Sequence, residues 1–104
     1  MPFYMLHPRE LDLMYRQKNT VTVDIRDRQA YQKYHFKNAI NIPYVDCENW
    51  SERFRRGQNY ILYCDYGNIS LLAAKKLAKC GITVYTVVGG AQGMQRYFSQ
   101  NERK

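Results

Sequence analysis

The chain has 104 residues, 45% of them hydrophobic, and a formal net charge of +7. That is enough for one domain whose core needs no staples, and too apolar for disorder. No run approaches the ~18 apolar residues of a membrane span, and the opening MPFYMLHPRELD lacks the basic-then-apolar order of a secretory signal.

In chain order, Phe3 to Met5 is a short edge strand. Pro8 suits the first position of a helix, to which Leu11, Leu13 and Met14 give an apolar side, and His7 reads as a local cap or a surface residue. Val21, Val23 and Ile25 alternate with Thr22 and Asp24, a strand signal. Asp27 can cap a helix through Gln29, Ala30 and Tyr34, and Ala39 to Ile42 is a strand stopped by Pro43. Asp46 can cap a further helix holding Trp50 and Phe54, which Arg55-Arg56-Gly57 ends.

Tyr60 to Tyr63 is an uncharged apolar run, as expected of a strand covered on both faces. Leu71, Leu72, Ala74, Leu77 and Ala78 then recur at helical spacing, with Gly81 placed for a left-handed cap. Thr83 to Val88 is a β-branched strand turning at Gly89-Gly90, Gln92 to Phe98 is the last helix, and 101–104 is a loose tail. The alternation predicts a single α/β domain over 1–104. Its sheet is small, doubly wound and mostly parallel, with four to five strands and helices on both faces. Ligands bind such sheets at the carboxyl ends of the strands.

That edge is where Cys64 falls. Only Cys64-Asp65-Tyr66-Gly67-Asn68-Ile69 separates the buried strand from the helix opening at Ser70. Unpaired N–H groups and the positive end of the helix dipole favour an anion there, and a thiolate is one. Gly67 can take positive φ and curl the loop into an N–H nest. Cysteine is commonly just a buried packing residue; strand end, glycine loop and immediate helix together mark Cys64 as a nucleophile. Cys47 and Cys80 read as packing residues, either able to resolve an oxidised Cys64 if close. Three widely spaced cysteines suggest neither a disulfide framework nor a metal site, and a reducing cytoplasm fits. The basic residues are scattered and no RNA-binding signature appears, so no nucleic-acid or membrane partner is expected. The charge would still draw small anions to a cleft.

These residues carry a resemblance. The chain resembles a single-domain rhodanese over nearly its whole length. Val23-Asp24-Ile25-Arg26 is similar to the family's D-x-R strand end. YQKYHFKNAINIP, Tyr31 to Pro43, is similar to its Y-x-x-x-H-I-P-G-A-x-N-I-P segment, with Lys37 and Asn38 in place of Pro and Gly. Cys64, Gly67 and Ser70 match the cysteine loop, commonly C-x-x-G-x-R then Ser or Thr, and Gly89-Gly90 matches the Gly-Gly turn. Ile69 stands where many members carry arginine, and in having a neutral residue there the chain resembles some short bacterial thiosulfate sulfurtransferases; Met94 stands where tryptophan is frequent.

The resemblance implies a sulfurtransferase. Cys64 would take a sulfane sulfur from thiosulfate or a persulfide donor and pass it to cyanide or a thiol, small or protein-borne. Asp65, Tyr66, Gly67, Asn68, Ile69 and Ser70 would form the anion-binding loop, with no cofactor and no metal. Asp24, Arg26, His35, Gly89 and Gly90 would be structural residues near the site, and Asp65 adds a charge opposing the thiolate. The alternative is a non-catalytic or sulfur-relay module that binds a protein partner. Phosphatase or arsenate reductase chemistry ranks low, because a three-oxygen anion needs a wider loop and an arginine fork.

Overall fold

The computed structural model describes residues 3–44, 50 and 52–102, the last two by backbone alone. Cys47 and the Asp46 cap lie outside the described residues. The order is β1 (Tyr4–Leu6), α1 (Pro8–Met14), β2 (Thr20–Asp24), α2 (Arg28–Lys33), β3 (Ile40–Asn41), β4 (Asn59–Tyr63), α3 (Asn68–Lys79), β5 (Thr83–Val87) and α4 (Gly90–Glu102). The five strands form one sheet in the order β1-β5-β4-β2-β3, and every pairing is parallel.

Local chemistry starts the helices where the sequence places them. At α1, the His7 Nδ1 accepts the Arg9 N–H at 3.1 Å while Glu10 takes the His7 N–H at 2.9 Å, so His7 is a cap. At α2, Asp27 accepts the Ala30 N–H at 2.8 Å. Two helical faces differ from the periodic pattern: Leu13 is 72% exposed and Leu72 51% exposed. The sheet covers a narrower arc of each helix than the apolar stripe spans. α4 runs from Gly90 to Glu102, beyond the Gln92–Phe98 stretch at both ends.

Alternate residues of each strand feed two cores. On one face Val23, Leu62 and Val84 pack against Ala74 and Leu77 of α3 and against Trp50 and Phe54. On the other, Ile61, Tyr63 and Val87 meet Leu11 of α1 and Met94 of α4. The central run Ile61-Leu62-Tyr63 is wholly buried, and each such side chain contributes about 1.5–3 kcal/mol.

The register sets the site. Asp24 lies level with Tyr63, and Leu62 with Thr86. Chain connections run from β4 toward β5 but from β2 toward β3, so strand order reverses between β4 and β2. A crevice therefore opens beyond the carboxyl ends of these strands, and Cys64 is the residue after β4.

Candidate active site

Gly67, at φ 105° and ψ −15°, is the N-cap of α3 and supplies no side chain to its orphan N–H groups. Sulfur takes that place. The Cys64 Sγ accepts the N–H of Gly67 at 3.1 Å and that of Ser70 at 3.2 Å. The helix thus starts at Asn68, so Asn68 and Ile69 belong to its first turn. Cys64 is only 4% exposed, and the dipole of α3 points its positive end at the sulfur.

Ser70 ties the sulfur to the sheet. Its Oγ lies 3.6 Å from the Sγ and shares a 2.7 Å hydrogen bond with the Thr86 hydroxyl. It also lies 3.2 Å from the Gly67 carbonyl, to which it can donate. Thr86 was not among the residues the sequence marked, though a buried hydroxyl in a β-branched strand is a signal that it has a partner.

The Gly-Gly turn seats a second helix on the same loop. The Ala91 N–H donates to the Cys64 carbonyl at 2.8 Å and the Gln92 N–H to the Asp65 carbonyl at 3.0 Å. A Cβ on Gly90, whose φ is +59°, would stand 2.4 Å from the Cys64 oxygen and 2.6 Å from the Asp65 oxygen. Only glycine permits that approach. The N-termini of α3 and α4 therefore converge on one loop, α3 on its sulfur and α4 on its carbonyls.

Arg26 closes the opposite side. Its guanidinium grips the fully buried Asp24 carboxylate, at 2.7 Å for the shortest contact, and donates to the Tyr34 carbonyl. It reaches the Asp65 carboxylate at 3.3 Å and lies 5.6 Å from the centre of the Tyr63 ring. Burial opposes its charge, but Asp24 first and Asp65 next outweigh that and hold its pKa above the ordinary value. The Asp65 charge is thus turned toward Arg26. Burial, with the Asp24 carboxylate adding to it, pushes the Tyr63 hydroxyl well above its usual range, and that oxygen accepts the Phe36 N–H at 3.0 Å. The Asn41 amide donates to both the Asp24 and Arg26 carbonyls at 2.9 Å, locking the strand end. His35 is exposed, its Nδ1 2.9 Å from the Tyr31 carbonyl and its ring stacked on Tyr31 at 4.0 Å.

A pocket of about 260 Å³ opens at the sulfur, walled by Arg26, Tyr66, Asn68 and Ile69 among others. Tyr66 is 70% exposed and Ile69 37% exposed, so both stand on its rim. Cys80 caps the far end of α3, which has 12 residues, about 18 Å from its start at 1.5 Å per residue. It cannot reach Cys64 while α3 is formed. Among the described residues there is no cluster of three or more His, Cys, Asp or Glu able to hold a metal. None of the helices described is long and apolar enough to cross a membrane.

A parallel α/β sheet with a cysteine nested between two helix N-termini defines a class of cysteine-loop domains. The rhodanese-like domain family profile matches residues 7–97, and the chain belongs to that family. It is 38% identical over 68 residues to a tRNA sulfurtransferase of Thermoplasma acidophilum, covering 65% of this chain and 14% of that protein. It is 28% identical over 76 residues to the thiosulfate sulfurtransferase GlpE of Coxiella burnetii, covering 72% of this chain and 71% of that protein. The chain therefore spans about a sixth or less of the tRNA sulfurtransferases it matches. A rhodanese-related protein of Thermoplasma volcanium superposes with a TM-score of 0.82 at 23% identity, covering 90% of this chain and 92% of that one, a likeness of fold.

Proposed function

We propose that this chain is a sulfurtransferase working through a Cys64 persulfide. The observation that carries the reading is the sulfur itself, held by two backbone N–H groups at the head of a helix and opening onto a pocket. The Cys64 thiolate attacks the outer sulfur of thiosulfate or of a persulfide. The donor's S–S bond breaks, and sulfite or a thiolate leaves with the electron pair. Cyanide or a thiolate then attacks the outer sulfur of the Cys64 persulfide, and the pair returns to the Sγ. One hard transfer becomes two easier ones. The N–H groups of Gly67 and Ser70 stabilise negative charge at the Sγ in both steps without reorganising. The family names carried by the relatives support the reaction class.

A sulfur-relay reading, in which the donor is a protein persulfide, draws on one observation. Arg26, the cation at this pocket, already serves Asp24 and Asp65, and residue 69 is neutral, so free thiosulfate meets little uncommitted charge.

The test is mass spectrometry of the intact chain after thiosulfate, then after cyanide. Wild type should gain one sulfur atom on Cys64 and lose it as thiocyanate. Cys64→Ser should do neither while keeping its circular dichroism, since a hydroxyl is a far weaker nucleophile at neutral pH. Sulfur loading on Cys64→Ser, or none on wild type from thiosulfate or persulfide donors, would sink the assignment.

A further inference from the structure

The Ser70 hydroxyl has more neighbours than its single proton can serve. A hydroxyl gives one hydrogen bond and accepts through two lone pairs. Around this one stand the Thr86 hydroxyl at 2.7 Å, the Gly67 carbonyl at 3.2 Å and the Cys64 Sγ at 3.6 Å, a distance that suits the larger sulfur atom. Ser70 is fully buried and Thr86 nearly so, and bulk water competes for none of these contacts.

The direction of the 2.7 Å bond follows from Thr86. Among the described residues its hydroxyl has one hydrogen-bond partner, Ser70. Were Ser70 the donor, the Thr86 proton would be buried with no acceptor, a costly arrangement in a dry core. Thr86 therefore donates and Ser70 accepts. The Ser70 proton is left for the Gly67 carbonyl or for the sulfur. That carbonyl already accepts the Leu71 N–H at 3.1 Å, so it can release Ser70 without being orphaned. The sulfur is the neighbour whose demand changes. As a thiol, Cys64 has a proton of its own to give to Ser70. As a thiolate it carries a charge and only accepts.

We infer that Thr86 is a positioning residue: by donating to Ser70 it turns the Ser70 O–H toward the Cys64 thiolate. The inference deepens the persulfide reading above and rests on it for its catalytic meaning. The sulfur then has three donors, the N–H groups of Gly67 and Ser70 and the Ser70 hydroxyl. The O–H bonds of Thr86 and Ser70 run in the same sense toward the sulfur, so each polarises the next. When Cys64 ionises, its proton leaves to solvent through the pocket, and Ser70 and Thr86 keep theirs. The same hydroxyl faces the Sγ again when attack by the acceptor returns the electron pair to it. Arg26, Asp27, Asp65 and Tyr66 are the other titratable groups lining that pocket, with Asp24 behind Arg26. Among the described residues none of them is hydrogen-bonded to the Ser70 or Thr86 hydroxyl. Neither the first turn of α3 nor Gly89-Gly90 brings a charge.

The test is the pH profile of Cys64 alkylation by iodoacetamide, which takes the thiolate, read at that residue by peptide mass spectrometry. It is run on wild type, T86V, T86S, S70A and S70A/T86V. Valine keeps the β-branched shape and removes the hydroxyl, whereas serine keeps the hydroxyl. The S70A profile should move to higher pH by about one pH unit, a ten-fold loss of thiolate and the scale of one hydrogen bond to a charged group. T86V should move the same way, slowing alkylation roughly three-fold or more below the midpoint. T86S should restore the wild-type profile, and T86V should add nothing in the S70A background. All rates should converge at high pH, where every variant is thiolate. A folded T86V with the wild-type profile would overturn the assignment, as would a T86S profile displaced as far as that of T86V. So would a further shift from T86V on top of S70A, or a loss of rate equal at every pH, which marks general damage to the loop. If T86V does not fold, T86A makes the same comparison. If Cys64 never takes up sulfur, the persulfide reading fails, and the alkylation profile still decides what Thr86 does.

Discussion

Replacing Gly90 by alanine should unseat the cysteine loop, and Gly57→Ala provides the control. Both glycines have positive φ, +59° at Gly90 and +84° at Gly57, so alanine pays a similar left-handed cost at each. They differ in surroundings. A Cβ at Gly57 meets nothing within 4 Å, whereas one at Gly90 meets the Cys64 and Asp65 carbonyl oxygens at 2.4 and 2.6 Å. Those oxygens are backbone and cannot swing aside, so the start of α4 has to back away. The hydrogen bonds from Ala91 to Cys64 and from Gln92 to Asp65 then go, at about 1 kcal/mol each. Gly90→Ala should therefore be at least about 2 kcal/mol less stable than Gly57→Ala. For a domain of this size that is a melting temperature lower by about 8 °C or more. The same shift misaims the loop, and displacements of about 1 Å can cost a hundred-fold in rate. Differential scanning calorimetry and the single-turnover rate of Cys64 persulfide formation read the two effects. Equal melting temperatures and equal rates for the two variants would refute the argument that close approach at Gly90 seats the loop.

Ile69→Arg should place a cation on the rim of the sulfur pocket, because Ile69 is 37% exposed there. A charge-assisted hydrogen bond of roughly 1.5–3 kcal/mol would raise kcat/KM for thiosulfate about ten-fold or more, less for a neutral persulfide, and salt should erode the gain. A joint loss of activity and melting temperature would show the side chain turned inward instead. Asp65→Asn should free the outer guanidinium nitrogen of Arg26, now 3.3 Å from that carboxylate, and so improve thiosulfate KM in steady-state assays; an unchanged KM would leave Arg26 without a part in donor binding. Tyr63 supplies a pH test. Burial raises its pKa in the folded state, so below about pH 10 both states keep the proton. Above that the unfolded chain releases it first and stability falls. Tyr63→Phe should flatten the decline of the urea midpoint between about pH 9 and 11, and an unaltered slope would refute the shift.

The features legible in the sequence are those fixed by a few neighbouring residues. The apolar run at Tyr60 to Tyr63 matches a strand buried on both faces, because it is short, uncharged and without polar alternation. Pro8, Asp27 and the glycine at 81 mark helix ends through φ restriction, a capping oxygen and a left-handed conformation, all local effects. The cysteine loop is legible for the same reason: strand end, Gly67 and helix lie within ten residues. Local pattern was least reliable on exposed helix faces, where Leu13 and Leu72 keep the apolar period yet face water.

What the tertiary structure decided is which of these pieces meet. Sheet order and register bring Thr86 to Ser70, 16 residues apart, and Arg26 to Asp65, 39 apart. No periodicity carries such pairings. Gly89-Gly90 reads in the sequence as a turn, but the second glycine is required by the carbonyls of Cys64 and Asp65, a strand and a helix earlier in the chain. Asp65 reads as a charge against the thiolate, and only the end of β2 beside it draws that charge away. The cavity of about 750 Å³ beside Arg96 is lined both by α4 and by the chain that follows α2, a meeting of segments about 60 residues apart. Local conformational preferences are properties of short segments; a site of this kind is a property of where a parallel sheet puts their ends.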